Sequence, residues 1–204
     1  MEILDLKKTL KYLYVPSAKT FSIVDVPSMN FIMIDGQGNP NTSPVYSEAV
    51  QALYTGAYTL KFKIKKELGV DYPVMASEGL WWMDDMRDFS ISRKDDWKWT
   101  MMIMQPEIIT PAFFVGAIDE VLTKKGQPSL TRLRLERYEE GKAAQILYVG
   151  PYADEGPTIS RLHLFIRENG WINSGKHHEI YLGDPRRSAP GKLRTVIRQP
   201  MGKV

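Results

Sequence analysis

Two glutamates stand out by position. Glu78-Gly79-Leu80-Trp81 and Glu179-Ile180-Tyr181-Leu182 each open an extended stretch that follows a helical one. Trp82, Trp97, Trp99, Tyr148 and Tyr181 supply aromatic faces in the same regions. A flat cation gains about 0.5–2 kcal/mol from each aromatic face it covers. A carboxylate held out of bulk water adds charge complementarity, and its desolvation cost falls once a cation lies beside it. Glu179 and Tyr181 are two residues apart on an expected strand and so share a face. There the carboxylate could orient or deprotonate a water while the tyrosine hydroxyl assists a leaving oxygen. Taken singly, a strand glutamate is more often solvated and an aromatic ring more often fills core. Alternation sends Trp81 and Trp82 to opposite faces, so one of them at most lines a pocket, and Trp82 is the one assigned to it.

Other chemistry is less well supported. His177-His178, with Asp184 nearby, lacks a third ligand at sensible spacing, and adjacent strand histidines point opposite ways, so no metal site and no cofactor are expected. Arg186-Arg187 with Lys192 and Arg194 reads as a solvated basic turn. Gly36-x-Gly38 lacks the third glycine and the βαβ context of a dinucleotide fingerprint.

The elements that must position these residues follow from periodicity. Phe21 to Val26 is extended, and Phe31-Ile32-Met33-Ile34 reads as a buried strand stopped by the turn run Asp35-Gly36-Gln37-Gly38-Asn39-Pro40. Ser43-Pro44 starts a helix whose stripe is Tyr46, Val50, Leu53, Ala57, Leu60, Ile64 and Leu68, with Gly69 closing it. Strands are expected over 73–82 and 96–105, the second with Trp97, Trp99, Met101 and Ile103 on one face. A polar hairpin over 84–88 joins them. Thr110-Pro111 opens a second helix with Phe114, Ile118, Val121 and Leu122 inward. The pattern then returns as a strand at 144–149, a helix at 154–169, and strands at 178–182 and 193–199. Both last strands run into Gln-Pro, at Gln105-Pro106 and Gln199-Pro200.

This order predicts an α+β fold of duplicated β-α-β-β units. Repeat 1 is about 29–106 and repeat 2 about 142–200, within a single domain over 1–204. The antiparallel sheet would carry helices on one face and a ligand pocket near a pseudo-twofold axis, with Glu78 and Glu179 approaching one cavity.

Composition narrows the function classes. The 204 residues are 43% hydrophobic and 25% charged, ordinary for a globular domain. A net charge of +3, from 27 basic and 24 acidic residues, is too balanced to imply nucleic-acid binding. No apolar run approaches the roughly 18–20 residues of a membrane span. The start, Met1 to Lys8, does not read as a secretion signal. Cysteine is absent, which removes disulfides and thiolate chemistry and fits a reducing cytosol, so a cytoplasmic protein is expected. Five Trp, ten Tyr and ten Met are many for this length.

The chain resembles the GyrI-like family of small-molecule-binding proteins over roughly residues 20–204. The resemblance rests on Val26-Pro27, Ile34-Asp35-Gly36-x-Gly38-x-Pro40, Glu78-Gly79-Leu80-Trp81-Trp82, Trp97-x-Trp99, Gly150-Pro151-Tyr152, His178-Glu179-Ile180-Tyr181-Leu182 and Leu193-Arg194-Thr195. It implies a fold of duplicated strand-helix-strand-strand units. It also implies binding of bulky, flat, hydrophobic, often cationic compounds by aromatics and a buried glutamate, which by motif position is Glu179. Stand-alone members with the Asp-Gly-x-Gly-x-Pro start and paired tryptophans hydrolyse cyclopropane-containing DNA alkylators, which makes this chain a candidate cyclopropanoid hydrolase. Other members bind protein partners such as gyrase, so a protein-interaction module is the alternative function. No segment is spare for a helix-turn-helix domain, so direct transcription control is not expected. A homodimer is left open.

Overall fold

The computed structural model describes residues 2–86 and 91–203. In chain order the elements begin with β1 (Glu2–Ile3), α1 (Leu6–Thr9), α2 (Lys11–Tyr14), β2 (Ser22–Val26), β3 (Met29–Gln37), α3 (Pro44–Leu68), β4 (Val70–Asp71), β5 (Ser77–Trp82) and β6 (Lys98–Gln105). They continue with α4 (Pro111–Lys125), β7 (Arg134–Tyr138), β8 (Gly141–Val149), α5 (Gly156–Glu168), β9 (Ile172–Asn173), β10 (His177–Tyr181) and β11 (Arg194–Gly202). The fold is mixed α+β with antiparallel sheet pairing throughout its long strands. Of the hairpin expected over 84–88, Arg87 and Asp88 lie outside the described residues.

The chain divides into two compact units. The first comprises Met1–Thr9, Met29–Met75 and Trp81–Tyr138; the second comprises Leu10–Ser28, Ala76–Leu80 and Glu139–Val204.

In the first unit β3 is flanked by β6 and β7, both antiparallel, with Ile32 opposite Ile103 and Leu135. Helix α3 packs on β3 and β6 and against α4. Its buried stripe is Ala49, Ala52, Leu53, Gly56, Ala57, Leu60 and Ile64. The smaller Ala49 and Gly56 replace the expected Val50 and Leu68 because small residues let the helix sit close to its neighbours, and Leu68 is exposed. Pro44 occupies the first turn, and Gly69 ends the helix in the left-handed region at φ 67°. Thr110 caps α4 by accepting from the Phe113 N–H at 3.2 Å. Strand β6 is buried on both faces from Trp99 to Gln105, not on one face as alternation suggested. A strand covered on both sides reads as a continuous apolar run.

In the second unit the strand order is β2-β8-β11-β10, followed by Ser77–Leu80 of β5. Helix α5 covers one face. There Leu162 and Ile166 meet Ala144, Ile146, Ile197 and Met201, with Phe21, Ile159 and Trp171 at the margin. The opposite face is closed by the segment that carries α2, whose Leu13 and Tyr14 are buried. Neither α2 nor β7 is among the elements expected from periodicity.

Candidate functional site

Register decides which side chains meet. Glu179 lies opposite Ile197, which lies opposite Ile146; Tyr181 lies opposite Thr195, which lies opposite Tyr148. Tyr148, Thr195, Glu179 and Tyr181 therefore occupy one face of the second unit, the α5 face. Tyr148 and Tyr181 are two strand spacings apart, roughly 9–10 Å at the backbone, with the small Thr195 between them. His177, two residues before Glu179, is on the same face.

Glu179 is anchored from both sides. The Tyr181 hydroxyl donates to its Oε2 at 2.8 Å, and His177 Nε2 lies 3.1 Å from its Oε1. Its side chain is 16% exposed. Burial pushes the Glu179 carboxyl up, but the hydrogen bond and charge of His177, then Tyr181 and Glu155, outweigh burial and hold it below the usual carboxylate range. The Tyr152 ring meets that of Tyr181 edge-on at 5.7 Å. Tyr148 folds back over Gly150, its hydroxyl donating to the Pro151 carbonyl at 3.1 Å. A Cβ at Gly150 would fall 2.5 Å from that hydroxyl oxygen, so glycine is required there. Burial, followed by the nearby charges of Asp154 and Glu155, raises the Tyr148 phenol. Beside Tyr148 opens a cavity of about 260 Å³ that Ile146, Thr158 and Arg161 also line.

The other face of the same strand holds a closed charge network. His178 lies opposite Arg198, which lies opposite Gln145. His178 Nε2 is 2.9 Å from Glu78 Oε2, and its Nδ1 is 2.9 Å from Glu140 Oε1. Tyr14 donates to Glu78 Oε1 at 2.5 Å. Arg198 donates to Glu140 Oε2 at 3.1 Å, to Gln145 Oε1 at 3.0 Å and to the Leu13 carbonyl at 2.7 Å. Both ring nitrogens of His178 face carboxylate oxygens, which suits only the imidazolium. Burial pulls the His178 pKa down, but Glu140 and then Glu78 outweigh it and raise it to about 9. Glu140 is held at about 2: burial opposes ionisation, while His178 and Arg198 favour it more strongly.

Glu78 and Glu179 thus lie on opposite faces of the second unit's sheet and do not converge on one cavity. Adjacent residues of β10 alternate, and Glu78 is tied to His178 rather than to the Glu179 side. Glu78 is fully buried, with both oxygens occupied.

In the first unit the aromatics form a cluster. Trp99 has no exposed area and lies flat on Gly36, where a Cβ would fall 2.1 Å from its ring; its Nε1 donates to the Gly38 carbonyl at 3.3 Å. This explains the Asp-Gly-x-Gly spacing. Asp35 accepts from Thr100 Oγ1 at 2.6 Å and pairs with Arg134, while Gly36 gives the ring its seat. Tyr46 meets Trp99 at 5.2 Å and Trp81 at 5.9 Å, and Trp81 meets Trp97 at 5.6 Å. Trp81, not Trp82, joins Trp97 and Trp99. Trp82 turns to the other face of β5 and is half-buried, as is Trp97, over whose ring the Lys94 Nζ sits at 5.5 Å. Sequence reasoning therefore grouped Glu179, Tyr181 and Tyr148 as the structure does, and set Glu78 and Trp99 where the structure has no opening. It gave no role to His177, Tyr152, Glu155 or Thr195. The signals were the Gly-Pro-Tyr turn before a Pro-bearing helix start and the two-residue spacing of His177 from Glu179.

Arg186 pairs with Asp184 within its own turn. Among the described residues no group of three or more His, Cys, Asp or Glu side chains is placed to hold a metal ion. No helix among them is long and apolar enough to cross a membrane.

The chain belongs to the GyrI-like family: residues 19–201 match the GyrI-like small molecule binding domain. An uncharacterized conserved protein from Listeria innocua is 38% identical, with TM-score 0.90, over 98% of this chain and 100% of its own. A hydrolase encoded by lin2189 from Listeria innocua is 36% identical, with TM-score 0.88, over 99% of this chain and 100% of its own. The EcmrR C-terminal domain shares the fold at 10% identity and TM-score 0.53, covering 91% of this chain and 98% of its own. No protein of curated function matches the chain.

Proposed function

We propose that the chain binds bulky, flat, hydrophobic, often cationic xenobiotics at the Glu179 site and that this site hydrolyses cyclopropane-containing DNA alkylators. The observation that carries the binding reading is a mostly buried Glu179 fixed by His177 and Tyr181 among tyrosine rings, partners that hold its carboxyl below the usual range. Such a carboxylate attracts a cation, and Tyr181, Tyr148 and Tyr152 offer faces to a flat one. Trp82 and Trp97 are half-buried, unlike Trp81 and Trp99, and stay candidate ligand faces. Two relatives at 36% identity, both described as hydrolases from Listeria innocua, support hydrolysis as the kind of reaction. Glu179 would take a proton from water as its oxygen bonds to the strained ring carbon. The breaking C–C bond would pass its electron pair to the conjugated carbonyl oxygen, which takes the Tyr181 proton.

The test is rhodamine 6G or ethidium binding followed by dye anisotropy. Saturable micromolar binding that weakens about tenfold or more in Glu179→Gln supports the reading, since a charge-assisted contact is worth about 1.5–3 kcal/mol. Unchanged affinity in that variant refutes the role of Glu179, and no response to any dye favours a protein partner. Incubation with a cyclopropane alkylator and mass detection of a water adduct decides whether turnover occurs.

A further inference from the structure

Thr195 is fully buried on β11, with Tyr181 of β10 opposite it on one side and Tyr148 of β8 on the other. Ile197, Gln199 and Met201 of β11 share its face. Ile197 and Met201 pack with α5. Gln199 is buried and polar, and its amide donates to the Ser174 carbonyl at 2.8 Å. The Thr195 hydroxyl has no hydrogen-bond partner among the described residues. A buried hydroxyl left unpaired is a net cost to the fold, and a valine of nearly the same shape would avoid it. A ligand that supplies the missing partner removes the cost.

The neighbouring hydroxyls decide which partner that is. Tyr181 donates its proton to Glu179 Oε2 at 2.8 Å, and Tyr148 donates its proton to the Pro151 carbonyl at 3.1 Å. Thr195 is thus the member of the row whose hydroxyl proton is uncommitted. Acceptors are already plentiful on this face, because an ionised carboxylate only accepts and Glu179 stands beside Tyr181. An uncommitted proton among them calls for an acceptor on the ligand. Directly opposed residues of neighbouring strands have Cβ atoms about 4.5–5.5 Å apart, so a flat ligand lying against the Tyr181 ring brings its edge to Thr195. A conjugated carbonyl accepts in the plane of its ring, which is the direction such an edge presents. Tyr148 also lines the cavity of about 260 Å³, so a ligand that enters there and shifts the Tyr148 ring meets Thr195 next.

We propose that the Thr195 hydroxyl donates a hydrogen bond to an in-plane carbonyl oxygen of the ligand, and so selects flat aromatic compounds that carry a ring ketone at one edge. This rests on the reading of the Glu179 face as a ligand site. It adds a chemical class that the aromatic faces and the carboxylate leave open.

The probe is N-methylacridone, a flat fluorescent ketone whose emission moves to longer wavelength when its carbonyl accepts a hydrogen bond. The control is N-methylacridan, which has a methylene in place of the carbonyl and is followed by tryptophan quenching. Wild-type protein should bind N-methylacridone saturably. Thr195→Val should weaken that binding about fivefold, the effect of one neutral hydrogen bond, and move the bound emission to shorter wavelength. Thr195→Ser keeps the hydroxyl and should retain the wild-type affinity and emission. N-methylacridan offers the hydroxyl no acceptor and should distinguish the three proteins by less than about twofold.

An equal loss for both probes in Thr195→Val would mean that the residue only fills space. Unchanged N-methylacridone affinity and emission would mean that it makes no such bond. Either result overturns the proposal, as does a wild type that does not take up N-methylacridone. Should Thr195→Val not fold, Thr195→Ala against Thr195→Ser makes the same comparison. Rhodamine 6G with Glu179→Gln separates this proposal from the reading it rests on. If Glu179 matters to that dye while Thr195 is indifferent to N-methylacridone, the binding reading stands and the donor role falls. If N-methylacridone depends on Thr195 while rhodamine 6G does not bind, the donor role stands and the cationic-ligand reading falls.

Discussion

His178 and Glu179 are consecutive residues of one strand, yet one is sealed between Glu78 and Glu140 while the other faces Tyr181 across 2.8 Å on the opposite side. The strand thereby separates the Glu78–Glu140 charge set from the Glu179 set. Mutations on its two sides should have different signatures.

Replacing His178 by Ala should leave Glu78 and Glu140 buried with half their compensation gone. Uncompensated buried charge costs about 3–5 kcal/mol. Urea denaturation should show a midpoint reduced accordingly, whereas Glu179→Gln should unfold close to wild type.

The His178 imidazole should remain charged well above neutrality. Its folded pKa of about 9 exceeds the unfolded value of about 6.5, so its contribution to stability is fully present below the unfolded value and is lost as pH rises through about 9. Glu140 works in the other direction: its folded value of about 2 means that its contribution is present above the unfolded carboxylate range and is lost as pH falls towards 2. Imidazole proton shifts followed by NMR should show His178 still charged at pH 8. A His178 that titrates near 6.5 contradicts the network.

Gly36→Ala should be costly although its backbone is ordinary, because the added methyl would overlap the Trp99 ring. Overpacking of this kind costs typically about 1–3 kcal/mol. A lowered melting temperature and a red-shifted tryptophan emission are the expected readouts, and a neutral effect would mean that the ring can leave its seat.

Thr195→Val removes a buried hydroxyl that has no partner among the described residues and keeps the shape. It should stabilise the free protein by about 1 kcal/mol. If the hydroxyl serves a ligand, dye affinity should fall in the same variant; thermal melting and anisotropy on one sample measure both.

Much of this architecture is legible from spacing. Gly69 and Gly126 end their helices, and Thr110-Pro111 opens one, because caps and left-handed termini are dictated by local chemistry. Glu179 and Tyr181 share a face because strands alternate. What escapes is what depends on pairing between distant segments. Tyr14 reaching Glu78 and Glu140 reaching Arg198 leave no periodic trace, so Glu78 resembles Glu179 in the sequence while serving a different face. Trp99 looks like a cage residue until Gly36 is seen beneath it. The Trp81 and Trp82 assignment turned on parity alone, which tells that the two rings part but not which of them meets Trp97.

The four charges of Glu78, Glu140, His178 and Arg198 sum to zero in a place that water does not reach. Such a set constrains how the chain can drift. Any single loss leaves an odd charge stranded, so a viable change must alter two members together or trade the whole quartet for hydrocarbon. On the opposite side of the same strand Glu179 belongs to a smaller set, in which His177 and the Tyr181 hydroxyl complete a single carboxylate.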